Sequence, residues 1–167
     1  KPAIVNRTFG RLQIISSAWF ALTHGANDGQ KTMGIIVLIL FSVGLIEELE
    51  MPLWVIFAAA AAMGLGTFFG GYKVIKTLGV KVTRLKPYQG FAAETSGGLM
   101  LAVFATLGIP ASTTHAITGT IMGAGSARRI RAVRWRVSRQ IIFSWVITIP
   151  GAAGLGIAFT YIIHLFL

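Results

Sequence analysis

The chain has no cysteine, and its 167 residues include only 5 acidic side chains against 15 lysines and arginines. The lack of cysteine excludes disulfide frameworks, thiolate metal sites and a cysteine nucleophile. Charge of either sign is scarce: charged residues make up 12% of the chain, hydrophobic ones 54%, and mean hydropathy is +0.74. A soluble domain of this size spreads solvated charge over its surface, whereas this chain has long stretches with none. The net charge of +10 would suit a small nucleic-acid binder, but the rest of the composition is that of a polytopic membrane protein. Nucleic acid is therefore not an expected partner. Residues 1–11 are polar and lack the apolar core of a secretory signal. Because the first residue is Lys1 rather than Met, the chain is expected to be a piece of a longer one.

What charge there is sits in order. Lys1, Arg7 and Arg11 form one basic group, residues 73–86 a second and residues 128–139 a third, which together hold 14 of the 15 cations and no carboxylate. Glu47, Glu48 and Glu50 form one acidic cluster, leaving Asp28, Lys31 and Glu94 inside apolar sequence. Basic clusters between apolar spans read as cytoplasmic loops under the positive-inside rule, so loops 73–86 and 128–139 are expected on the cytoplasmic face of the inner membrane. The expected fold is an all-α, polytopic helical bundle forming a single transmembrane domain over residues 1–167. Residues 52–72 suit one crossing of a hydrocarbon core about 30 Å thick. Residues 12–46 are too many for one straight span and predict a broken helix. Residues 90–127 begin and end at basic clusters, which predicts a re-entrant or tight helical hairpin turning at Gly108-Ile109-Pro110. Residues 140–167 make a final span, tilted or kinked at Pro150.

Polar interruptions fall at residues 24–31 and 108–115. Irregular backbone at membrane depth is tolerated only where protein or a polar cavity surrounds it, and a charge there is a functional signal. In the first, Gly25 is expected to end a half-helix whose open carbonyls join the Asn27 amide oxygen and the Asp28 carboxylate. That all-oxygen set suits Na⁺; alternatively Asp28 carries a proton, or simply pairs with Lys31 and caps the next half-helix. Lys31 is also placed to hold an anion. In the second, Pro110 is expected to start a helix at Ala111, with free first-turn amides and the hydroxyls of Ser112, Thr113 and Thr114 forming an anion site. The competing reading there is an ordinary helix cap. Glu94, several residues inside a helix, calls for a partner within the protein or a coupling-ion role. His24 is placed to gate or cap the first interruption and His115 to touch Ser112 on one helix face, with hydrogen-bonded structural roles as the plainer reading of both. The small-residue runs at 58–66 and 151–154 allow close helix packing.

The runs His24-Gly-Ala-Asn-Asp-Gly-Gln30-Lys31-Thr32, Gln89-Gly90-Phe91-x-Ala93-Glu94 and Pro110-x-Ser112-Thr113-Thr114-His115 resemble signatures of the inorganic phosphate transporter (PiT) family, its bacterial members most. The likeness covers residues 11 to about 156. It implies secondary-active phosphate uptake driven by Na⁺ or H⁺, through two inverted repeats that share a central site. By position, Asn27 and Asp28 would hold the coupling cation, Ser112, Thr113 and Thr114 the phosphate, and Glu94 would matter for transport, with Lys31, His24, Gln30 and His115 in the same signatures. One copy of each motif is present, so the chain is similar to the C-terminal repeat alone. That implies a missing N-terminal repeat, on the same or a separate chain.

The expected function is thus cation-coupled symport of inorganic phosphate, with no enzymatic activity and no cofactor beyond bound Na⁺ and phosphate. Partners are the lipid bilayer, the missing repeat and further copies in a homo-oligomer. Alternatives are a sulfate permease of the same family, an anion channel with the hydroxyls as filter, and, remotely, an intramembrane serine hydrolase using Ser112 with His115 as base.

Overall fold

A computed structural model describes residues 2–127 and 129–166. Lys1, Arg128 and Leu167, each named in the basic groups or spans above, lie outside the described residues. Among the described residues all regular structure is helical: α1 (Pro2–Ser42), α2 (Leu53–Lys76) running into a π-helical turn (Thr77–Val82), α3 (Pro87–Thr106), α4 (Thr113–Ser126), a 3₁₀ turn (Ile130–Ala132) and α5 (Trp135–Phe166). The all-α architecture read from composition is the one observed.

One detail differs. The break expected within residues 12–46 is absent, and α1 is a single helix of 41 residues with Gly25 well inside it. Much of the polar motif is paired along the helix. His24 and Asp28 are paired at i,i+4, Asp28 and Lys31 at i,i+3, and the Thr32 hydroxyl donates back to the Asp28 carbonyl. With these groups paired along one face, nothing forces the backbone to open.

α1 ends instead at Gly44, whose φ is +74°. The Leu45 amide donates to the Leu40 carbonyl and the Gly44 amide to that of Phe41, which is the Schellman arrangement. α3 ends the same way at Gly108, φ +69°, with Ile109 donating to Phe104 and Gly108 to Ala105. Pro110 follows and bars continuation of the helix. The helix after it begins at Thr113, two residues later than expected, because Ser112 adopts extended backbone and caps it.

α3 and α4 form a hairpin that packs on α1. Gly98 of α3 permits that approach, since a Cβ there would lie 2.6 Å from Trp19 Cδ1. The expected small-residue runs are used only in part: Ala59 is buried, whereas Gly64, Gly66, Gly151 and Gly154 have open space around them. One core cluster joins Leu78, Val82, Ala93, Ile121 and Val133, and another joins Leu101, Ala111 and Ala116. Long stretches of the helix surfaces are apolar, with Phe68 and Phe69 each 80% exposed. Leu53–Val82 and Trp135–Leu165 are long and apolar enough to cross a membrane. At 14 residues α4 measures about 21 Å, short of a hydrocarbon core of about 30 Å.

Candidate functional site

The site is built where the middle of α1 meets the start of α4. Asp28 projects from α1 at the end of a stripe formed by Gln13, Ser16, Phe20 and His24, spaced three or four residues apart. Its Oδ2 accepts a hydrogen bond from the Thr113 hydroxyl at 2.9 Å and lies 3.1 Å from His24 Nε2. Its Oδ1 lies 3.4 Å from the Lys31 ammonium. Lys31 Nζ also donates to the Ala111 carbonyl in the turn before α4. The two motifs, some eighty residues apart in sequence, are thus clamped by two side chains of α1.

Asn27 is buried, and its amide nitrogen has no hydrogen-bond partner. Ser112 is exposed and its hydroxyl accepts the His115 amide at 3.3 Å, so it is the N-cap of α4. That leaves the Thr113 and Thr114 amides as first-turn donors at the positive end of the helix dipole. Thr113 is buried against Asp28, while Thr114 is exposed. His24 stacks on Phe20, with ring centroids 6.2 Å apart, and the His115 ring lies 3.9 Å from that of Trp145. Gln30 is exposed and takes no part in the cluster.

Because α1 is continuous, the helix carbonyls expected to ligate Na⁺ are engaged in the helix. The oxygen donors left to that proposal are the Asn27 and Asp28 side chains. Among the described residues no three His, Asp or Glu side chains converge as a metal site.

Glu94 finds its partners inside the protein. The Ser16 hydroxyl donates to Oε2 at 2.6 Å and the Gln13 amide to Oε1 at 3.4 Å. Ser16 is 5% exposed, and Gln13 lies so close to Gly90 that a Cβ there would collide with it. Neither residue was singled out from the sequence. The available signal was their position on the His24 and Asp28 stripe of α1, one and two turns further back. A cavity of about 690 Å³ opens between the first four helices, with Gln13, His24, Glu94, Thr113 and Thr114 in its wall. The Glu94 pair and the Asp28 cluster therefore border one space.

A family model described as the Phosphate transporter family matches residues 1–156. A probable low-affinity inorganic phosphate transporter of Rhizobium meliloti (strain 1021) is 51% identical over 153 residues, covering 91% of this chain and 46% of the relative. A protein of the same description from Bacillus subtilis (strain 168) is 40% identical over 164 residues, 98% of this chain and 49% of its own length. A solved structure, the sodium-dependent phosphate transporter, superposes with a TM-score of 0.76 at 34% identity, over 87% of this chain and 37% of that one. The chain spans under half the length of each of these relatives.

Proposed function

This chain belongs to the phosphate transporter family, a family of membrane transporters rather than enzymes, and from that premise we propose that it forms one repeat of a multi-pass symporter. The transporter carries inorganic phosphate across the inner membrane together with Na⁺ or H⁺, with basic loops 73–86 and 128–139 in the cytoplasm. A second, inverted repeat completes the site, on the same chain or another, and copies of the whole assemble in the bilayer.

The hydrogen bond from Thr113 to Asp28 carries this reading. Phosphate is held at the N-terminus of α4 by the Thr113 and Thr114 amides, the hydroxyls of Ser112, Thr113 and Thr114, and Lys31. α4 is too short to cross the bilayer, which supports an N-terminus at membrane depth, where an anion's charge needs such donors. The coupling cation goes to Asp28, with the Asn27 amide oxygen as its proposed second ligand. In its absence Asp28 holds the Thr113 hydroxyl and Lys31 for itself. A cation or proton on Asp28 weakens both contacts and releases two phosphate ligands, so cation binding favours anion binding. That thermodynamic linkage is reciprocal. The sodium-dependent relative supports Na⁺ as the first ion to test. Glu94 borders the same cavity and supports transport through its charge.

Uptake of labelled phosphate into proteoliposomes of the full-length protein tests the proposal. Imposed Na⁺ or proton gradients should drive accumulation, and excess sulfate should leave it unaffected. Uptake indifferent to both gradients would instead identify an anion channel, and competition by sulfate a sulfate permease.

A further inference from the structure

Two basic segments that the sequence separates by the whole α3–α4 hairpin are stitched together at one end of the molecule. The Arg134 amide donates to the Val82 carbonyl at 2.9 Å, and the Thr83 hydroxyl to the Ala132 carbonyl at 3.1 Å. Val82, Thr83 and Val133 are all buried at this seam. A Cβ on Gly125 of α4 would press on Thr83 at 3.1 Å and on Val133 at 3.2 Å. Gln89 of α3 donates to the Ala124 carbonyl at 2.9 Å just beside it. The seam is packed and hydrogen-bonded like a core.

Around it the charge has one sign. The ten described cations of residues 73–86 and 129–139 are all exposed, and both ion pairs among the described residues are made to Asp28 instead. No acidic residue lies between Glu50 and Glu94 or anywhere after Glu94. The chain itself therefore leaves this positive face uncompensated. Its place in the fold says what meets it. The two helices fit to cross a membrane, Leu53–Val82 and Trp135–Leu165, end and begin at the seam. Trp135 and Ile130, 44% and 69% exposed, stand among the cations. A tryptophan at the mouth of a spanning helix belongs at headgroup level.

We infer that residues 73–86 and 129–139 jointly form a binding face for anionic phospholipid headgroups. Arginine forks match headgroup phosphates, and basic side chains at the ends of spanning helices are drawn to an anionic leaflet. Nucleic acid also answers positive charge, but this face is continuous with two apolar helices whose surroundings are lipid. The seam grips the far end of the hairpin that carries Ser112–Thr114, so bound lipid braces that hairpin from the membrane surface.

The test is tryptophan-to-dansyl energy transfer, with full-length protein in phosphatidylcholine vesicles doped with dansyl-phosphatidylglycerol or, for reference, dansyl-phosphatidylcholine. Transfer should favour the anionic lipid, and added salt should weaken the preference by screening. Combining Arg131→Gln, Arg134→Gln and Arg136→Gln should lower it by about five-fold per side chain. Thr83→Val keeps every cation but removes a stitch, and should lose part of the preference. Equal transfer to both lipids, a salt-insensitive preference, or displacement of the lipid by equimolar short RNA overturns the lipid assignment. An unchanged preference in Thr83→Val overturns the jointly built face.

Discussion

The Thr113 hydroxyl donates to Asp28 Oδ2 at 2.9 Å, so a residue proposed for phosphate and the residue proposed for the cation share one hydrogen bond. A neutral side chain at 28 cannot exchange charge with a coupling ion. Asp28→Asn should therefore abolish the dependence of phosphate uptake on the Na⁺ or proton gradient while the protein still reaches the membrane. Thr113→Val should raise the phosphate KM, and the two changes together should be non-additive. The shared bond, made to a charged group, is worth about 1.5–3 kcal/mol. Uptake by Asp28→Asn with wild-type ion dependence would remove Asp28 from the coupling site.

Packing between α1 and α3 gives a test free of transport. A methyl group on Gly98 would sit 2.6 Å from Trp19 Cδ1 and 3.6 Å from the Phe20 backbone. Gly98→Ala should overpack that contact and destabilise by about 1–3 kcal/mol. Gly66→Ala meets nothing within 4 Å and should be neutral or stabilising by up to about 1 kcal/mol, through helix propensity. Thermal unfolding of the detergent-solubilised protein, followed for both variants, reads the contrast. Equal shifts would mean that α2 is packed as tightly as α3.

These results divide what was legible in the sequence from what was not. Composition and charge placement suffice for an all-α membrane chain, because both follow from the bilayer as solvent. The Gly108-Ile109-Pro110 turn is written locally in glycine and proline chemistry. The continuity of α1 is not, because Gly25, Asn27, Asp28 and Gly29 all favour turns when read one at a time. In the folded chain Asp28 is paired on a face completed by Thr113, about eighty residues away. Gln13 and Ser16 were invisible for a similar reason. Each is an unremarkable polar residue until α3 brings Glu94 alongside. Which glycines pack closely is likewise settled by the neighbouring helix rather than by the glycine-rich run itself.

Ser112 has two roles that substitution can separate. Its hydroxyl accepts the His115 amide at 3.3 Å as the cap of α4, and it is proposed to touch phosphate. Ser112→Ala should lose the cap, at a cost of about 1 kcal/mol in thermal stability, and also weaken phosphate affinity. Ser112→Asp caps equally well but sets a negative charge where the anion binds. It should keep wild-type stability and lose uptake. A variant with Asp at 112 that transports phosphate with wild-type KM would leave Ser112 a cap alone.

The Glu94 carboxylate takes one donor on each oxygen, Ser16 at 2.6 Å and Gln13 at 3.4 Å. The shorter bond comes from a hydroxyl that is itself buried, so its loss cannot be made good by bulk water. Ser16→Ala should therefore misplace the Glu94 carboxylate, lowering phosphate uptake by about ten-fold, the equivalent of one hydrogen bond to a charged group. Ser16→Thr keeps the hydroxyl and should restore most of the activity. Glu94→Gln, which keeps the shape and removes the charge, should be at least as severe. If Ser16 acts through Glu94, the double variant should be no worse than Glu94→Gln alone, and initial rates across the four proteins measure this directly. Additive losses would give Ser16 a role of its own in the cavity wall rather than one of holding the carboxylate in place.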